Sequence, residues 1–402
     1  MPQRRGTSRK RNGGLPWSWL FALLALALFF LVWWKTGTTG FEESSSGRSL
    51  TNAPLAQTQT VHQPTPLVQP LATSPPPSLR SNPAAPSILT NAPLPTNNFP
   101  IATNNFPLPE EPANGFQPRP PANSFEIQLA LARVGISSGP IDGVLGSQSR
   151  LAIRAFQLRE GLPQTGDLDP LSRSRLLLRE WPYRVYEVTS NDLQRLRSIP
   201  DTWLGKSELD RLDFETALEL VAEKAHSRES LIRQLNPSIS WTNLQVGTRL
   251  KIPHTFHPVY REKAAFVRIQ LANKTLQAFG VNSNLLAHFP CSIAQKVDKR
   301  PVGRLTVVKV AENPNYMFNP EIFPESEEAK KIGRKLLLPP GPNNPVGVAW
   351  IGLDRPGYGI HGTPKPELVG RTESHGCFRL ANWNAELLLK LVWTGMPVYV
   401  DP

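Results

Sequence analysis

This 402-residue chain predicts a multidomain α+β protein: a small three-helix module, a small α/β module and a mostly-β sandwich, in that order, behind a long non-globular N-terminal stretch. Three observations carry this expectation. Eighteen of the 42 prolines fall within residues 36–121, where no apolar periodicity exists. Residues 125–178 space their apolar side chains as helices do, with glycines at the breaks. From Ala264 to Val400 the pattern changes to alternation, interrupted by short Asn- and Gly-containing turns.

The N-terminus comes first. Residues 1–35 carry six Lys/Arg and no acid, which is half of the net charge of +12. Residues 1–14 read as a basic tail, and residues 15–35 as a transmembrane signal-anchor. The core of that anchor, Trp17 to Trp34, is 18 residues with no charge, about 27 Å of helix and near the thickness of a hydrocarbon core. Tryptophans at both ends suit the two interfaces, and the basic flank places the N-terminus in the cytoplasm. A cleaved signal peptide is the competing reading; the run is longer than a usual apolar signal region, and no A-x-A site follows it. Either way the remainder is exported. The expected location is the inner membrane, crossed once, with the C-terminal domain in the periplasm or cell wall.

Residues 36–121 form a Pro-rich tether with the short duplications TNAPL (51–55, 90–94) and TNNFP (96–100, 103–107). Such a composition cannot bury enough surface to offset chain entropy, so disorder with stretches of polyproline II is expected. The basic surplus elsewhere is mild: from Tyr260 onward 18 Lys/Arg face 12 Asp/Glu. No module concentrates basic and aromatic residues together, so no nucleic-acid partner is expected.

Residues 122–180 place Ile127, Leu131 and Val134 on one helical face, then the loop GPIDGVLG (139–146). A second helix has Leu151, Ile153, Ala155, Phe156 and Leu158 mostly inward, and a short third helix follows. The elements G-P-x-D-G, A-x-x-x-F-Q and G-L-P-x-T-G resemble the peptidoglycan-binding domain type 1, with Asp142, Gly143, Phe156, Gln157, Leu162 and Gly166 at the pattern positions. A helical spacer without a ligand is the alternative. Residues 183–255 open on a strand-like run, Tyr183–Thr189. They close on NLQVGTRLKIPH, with Leu218, Val221, Ala222, Leu231 and Leu235 inward on two helical pieces between. The closing part resembles a LysM module. The beginning departs from it, because residues 190–213 replace the usual short turn; glycan binding and packing against the C-terminal domain both stay open.

The chemistry concentrates in GIHGTPKPELVGRTESHGCFRL, residues 359–380, which holds two of the seven histidines and one of the two cysteines. A thiol beside an imidazole is how proteins make a nucleophile near neutral pH. His375 stands two residues before Cys377, and His361 sixteen before. Adjacent residues on a strand usually point apart, which favours His361 as the base without deciding it. A disulfide between Cys377 and Cys291 is the competing reading for an exported protein. A metal site of His361, His375 and Cys377 lacks a fourth ligand and a recognisable spacing, so neither metal nor cofactor is expected.

The pattern H-G-T followed by S-H-G-C-x-R resembles the peptidoglycan L,D-transpeptidases. So do P-x-G-x-L-x-V (301–307), G-P-N-N-P-V-G (341–347) and Gly370 four residues before Ser374. Phe378 stands where that family usually has a smaller aliphatic residue. The resemblance covers residues 264–400, within a catalytic domain drawn at 260–402. It implies that Cys377 attacks the carbonyl between the diamino acid and terminal D-alanine of a tetrapeptide stem. His361 is implied as base, oriented by the Gly362 carbonyl, with His375 also in the catalytic group. Amides around Gly376 and Cys377 are implied as the oxyanion hole, and Ser374, Arg379, Tyr358 and Thr363 as substrate-binding residues. An amine of a second stem then resolves the thioester. Resolution by water, giving a carboxypeptidase, and a non-catalytic wall-binding protein are the alternatives. Oligomeric state is not encoded.

Overall fold

The computed structural model of the chain describes residues 115–371 and 376–402. The chain divides into two units, Met1–Ala92 and Pro93–Pro402, and every described residue belongs to the second. The expected basic tail, anchor and nearly all of the tether lie outside the described residues, as do Ser374 and His375. Among the described residues no helix is long and apolar enough to cross a membrane.

Three helices build the first part: α1 (Ser124–Arg133), α2 (Ser147–Arg159) and α3 (Pro170–Arg175). Asn123 caps α1, accepting from the Glu126 amide at 3.0 Å. Asp169 caps α3, which has proline in its first turn where no amide partner is lost. Ile127, Leu131, Ile153, Ala155 and Phe156 are buried as expected, but Leu158 is exposed. The sequence motif turns out to be architecture. Gln157 accepts from the Gly166 amide and donates to Thr165, Asp167 and Ser172, which locks the turn before α3. The folded part also starts before residue 122: Arg119 and Leu178 exchange two backbone hydrogen bonds, and Phe116 meets Trp181 edge-on.

In the second part, β1 (Tyr183–Glu187) pairs antiparallel with β2 (Arg249–Pro253). Between them come α4 (Ser190–Gln194), α5 (Trp203–Ser207), α6 (Ala217–Lys224) and α7 (Glu229–Leu235). A capping box of Thr216 and Glu219 starts α6. Leu218, Val221, Ala222, Ile232, Leu250 and Ile252 form the local core. Residues 190–213, the departure seen in the sequence, do not loop into solvent. Trp203 stacks on Phe318 at 4.6 Å, its amide donates to Glu328, and the Leu212 backbone bonds Pro340 and Asn343.

The third part contains β3 (Phe266–Gln270), β4 (Thr275–Phe279), β5 (Leu285–Pro290), β6 (Gly303–Glu312), β7 (Tyr316–Phe318) and α8 (Glu327–Ile332). It continues with β8 (Leu336–Leu338), β9 (Ala349–Leu353), β10 (Gly359–His361), β11 (Phe378–Arg379), α9 (Asn382–Leu391) and β12 (Pro397–Asp401). The expectation of a sandwich needs correction, because eight strands form one sheet, β11-β10-β9-β6-β12-β3-β4-β5, rather than two. The reason lies in β6. Its start pairs with β12 and its end with β9, and the register shifts between Val307 and Lys309. A bulge lets one long strand bend and serve both halves of a curved sheet. The apolar side of α9 (Leu387, Leu388, Leu391) fills the concavity with Val267, Ile269, Ile351 and Ile360. Residues 135–137 of the first part extend the sheet beside β5 through Ser137–His288 and His288–Gly135 backbone bonds, which covers an edge strand.

Burial leaves several histidines neutral. It pushes His288 and His361 down to about 4. Below the unfolded value near 6.5 the unfolded chain takes up protons that the folded chain refuses, so stability present above pH 6.5 is lost as pH falls toward 4. Each of the two removes about 2 kcal/mol by pH 5. The expected result is a melting temperature several degrees lower at pH 5 than at pH 7, read by calorimetry; equal values would contradict the neutral burial.

Candidate active site

Strand β10 carries His361 and runs parallel to β11, with Ile360 opposite Phe378 and His361 opposite Arg379. Side chains alternate along strands, so Ile360 and Phe378 turn to one face and His361 and Arg379 to the other. Ile360 and Phe378 are buried in the core. Cys377 immediately precedes β11, within electrostatic reach of the Arg379 guanidinium. Phe378 thus fills the core. The half-buried thiol donates to the Gly357 carbonyl at 3.4 Å. Burial raises the Cys377 thiol above its ordinary value, while a backbone contact to Gly359 and the nearby Arg379 cation oppose that rise.

The imidazole of His361 is held with care. Its Nδ1 lies 2.6 Å from the Gly362 carbonyl oxygen. A carbonyl only accepts, so Nδ1 carries the proton and Nε2 keeps its lone pair. Trp350 stacks on the ring at 5.6 Å between centroids. That tryptophan lies across Gly359, where an added Cβ would sit 2.6 Å from Cη2 of the indole. Behind the histidine, Gly362 packs against Gly347 and the buried Asn382; a Cβ on Gly362 would come within 2.2 Å of Asn382 Oδ1. The G-P-N-N-P-V-G element therefore ends in the glycine that lets the His-Gly turn lie flat. Burial thus favours the neutral form of both groups.

Of the other expected site residues, Tyr358 lies under the Arg355 guanidinium at 4.5 Å and is the nearest group to the alpha-carbon side of Gly376. Thr363 is buried and accepts from the Lys365 amide, which makes it part of the turn after His361. Arg379 exchanges backbone bonds with Ser292. Its guanidinium is shifted down by burial, with the Cys377 thiol and the Tyr316 hydroxyl close enough to oppose that shift. Gly376 lies at the described edge of the nucleophile loop.

Two residues at this site escaped sequence reasoning. Trp350 had a usable signal, since it alternates with the buried Ile351 on β9. Tyr316 had none: it is 61 positions from Cys377, on the hairpin of β7 and β8 that residues 190–213 clamp. Cys291 is free and fully buried, with its thiol facing the Ser292 carbonyl at 3.4 Å, so the disulfide reading is set aside.

A half-buried thiol near the Arg379 cation, next to the strand pair that carries an imidazole with a fixed tautomer, supplies the groups that a cysteine nucleophile needs. Residues 264–400 match the L,D-transpeptidase catalytic domain, and residues 122–176 match a peptidoglycan binding domain. An L,D-transpeptidase catalytic domain therefore occupies residues 264–400 of this enzyme. Among curated proteins it is similar to "Putative L,D-transpeptidase YkuD" of Bacillus licheniformis, 24% identical over 191 residues, 47% of this chain and 94% of that one. It is 33% identical over 108 residues to "Putative L,D-transpeptidase YqjB" of Bacillus subtilis, which is 26% of this chain and 52% of that one. Among solved structures, L,D-transpeptidase 3 from Mycobacterium tuberculosis aligns over 40% of this chain and 77% of its own, with 15% identity and a TM-score of 0.28.

Proposed function

We propose that this enzyme is a membrane-tethered cell-wall L,D-transpeptidase. The observation that supports it best is the register that sets the Nδ1-anchored His361 opposite Arg379, two residues from Cys377, inside the segment that matches the catalytic domain. The Cys377 thiol attacks the carbonyl between the diamino acid and the D-alanine of a tetrapeptide stem. His361 Nε2 takes the thiol proton as the S–C bond forms, then delivers it to the leaving amine as the C–N bond breaks and D-alanine departs. The amides of Gly376 and Cys377 face the developing oxyanion, and Arg379 meets a stem carboxylate. Substrate contacts are assigned to Ser374, Tyr358 and Thr363, and a supporting catalytic role to His375. The amine of a second stem then displaces the sulfur, forming a cross-link between diamino acids and returning the thiol.

Residues 15–35 hold the enzyme at the inner membrane, and the tether lets it reach the wall in the periplasm. Residues 183–255 form a LysM-like module, supported by the strand–helix–helix–strand order around β1, α6, α7 and β2. Mass spectrometry of muropeptides incubated with the full chain tests the reading. Cross-linked dimers with released D-alanine are expected; tripeptides alone would make it a carboxypeptidase, and unaltered muropeptides would leave a wall-binding protein.

A further inference from the structure

Helix α6 belongs to the second part of the fold, yet one of its faces serves the third. Leu218, Val221 and Ala222 pack into the local core. Glu219 and Glu223, one turn apart, meet residues of the third part instead. Glu219 Oε1 accepts from Asn343 Nδ2 at 2.6 Å, and the same nitrogen donates to the Asp213 carbonyl at 2.9 Å. The helix cap does not compete for that oxygen, because the Glu215 and Thr216 amides donate to Oε2. Burial pushes the Glu223 carboxyl up to about 8, a rise that its contact with the Asn382 side chain opposes.

Asn343 sits in the loop of residues 341–347, which the buried Asn344 knits together. Its side chain donates to the Pro339 carbonyl at 2.7 Å and accepts from the Val346 amide at 2.9 Å, and its carbonyl accepts from Gly347 at 2.8 Å. The loop meets the His-Gly turn at two points. A Cβ on Gly347 would lie 2.7 Å from the Gly362 carbonyl carbon, so the two backbones are already in contact. The Pro342 carbonyl accepts from Asn382 Nδ2 at 3.2 Å, and Asn382 Oδ1 borders both glycines. The Gly362 oxygen is the atom that holds His361 Nδ1. Close-packed backbone transmits a displacement and does not absorb it, so a shift of the loop reaches the imidazole.

We propose that Glu219 is a positioning residue for His361, which it serves by holding Asn343 and, through it, the loop that backs the His-Gly turn. The catalytic-domain match begins at residue 264, so part of what sets the geometry of its base comes from the module before it. Joining the two parts does not require this carboxylate, since the Leu212 backbone already bonds Pro340 and Asn343. What Glu219 adds is a short, directional bond to one side chain. The consequence for rate rests on the function proposed above; the placement of the ring does not.

Asn343→Ala, Glu219→Gln and the pair of them, each in the full chain, test this. The residue 343 backbone keeps its bond to Leu212 in all three. In Glu219→Gln the side-chain carbonyl stays with the cap amides, as glutamine does in a capping box, and its NH2 then faces the Asn343 NH2 with no acceptor between them. Each single variant is expected to lower kcat for D-alanine release about tenfold with KM within about twofold, because a fraction of an ångström in a catalytic group suffices. The double variant is expected to be no slower than the slower single one, as for two groups that act as a unit. Nitrogen NMR of the histidine rings gives a readout that needs no turnover, with the His361 signals identified as those lost in His361→Gln. Wild-type His361 is expected with its proton on Nδ1, and both single variants with the proton shared between the two ring nitrogens. The proposal is overturned if the His361 signals of both variants match wild type, if kcat is unchanged, if the loss lies in KM, or if the double variant multiplies the single losses. Should the wild type release no D-alanine, the function proposed above fails, and the ring signals alone decide this inference.

Discussion

Replacing Cys377 by alanine is expected to abolish D-alanine release from a disaccharide-tetrapeptide, a fall of at least about a thousandfold, while sedimentation with isolated cell wall persists. The size of the effect follows from the absence of a substitute. Cys291, the other cysteine, is fully buried in the core behind β5, and its thiol is pushed far up by that burial. His361 without a thiol retains a base and nothing to activate except water. Side-chain replacement at a half-buried position next to Tyr358 removes one sulfur and leaves the fold in place. Unchanged release in this variant, measured by mass spectrometry, would sink the assignment of the nucleophile.

The second large effect comes from a methyl group. Gly362→Ala places a Cβ within 2.2 Å of Asn382 Oδ1 and 3.3 Å of the Gly347 backbone. Asn382 cannot yield easily, since it is buried at the start of α9 and its amide donates to the Pro342 carbonyl. The Gly362 peptide must move instead, and its carbonyl is the group that fixes the His361 tautomer. A shift of about 1 Å in a catalytic group costs on the order of a hundredfold in rate. The expected loss is of that order in kcat, with about 1–3 kcal/mol of stability removed by overpacking. A variant with normal kcat would show that the carbonyl does not orient the base.

Much of the site was legible because its chemistry is written in rare residues. Two cysteines and seven histidines leave few ways to build a thiol–imidazole pair, and the glycines beside them mark where backbone meets backbone. The helical part was legible through its periodicity, although Gln157 and Gly166 serve a buried turn rather than a ligand. The single sheet was not legible. Alternation along LTVVKV reports that a strand exists and is silent on its two sets of partners, and the bulge at Val307–Lys309 depends on neighbours 90 and 45 residues away. Tyr316 was hidden for the same reason: only long-range packing brings β7 beside the nucleophile.

The clamp made by residues 190–213 bears on where this protein can be cut. The catalytic-domain match begins at residue 264, yet the aromatic face formed by Tyr316, Phe318 and Phe323 is completed by Trp203, and the Leu212 backbone fills the space that a Cβ on Gly341 would need. The edge of that domain match is therefore not a boundary of cooperative unfolding. Evolution can exchange this catalytic domain between proteins only together with the stretch that covers its hairpin, or by resurfacing those rings for water.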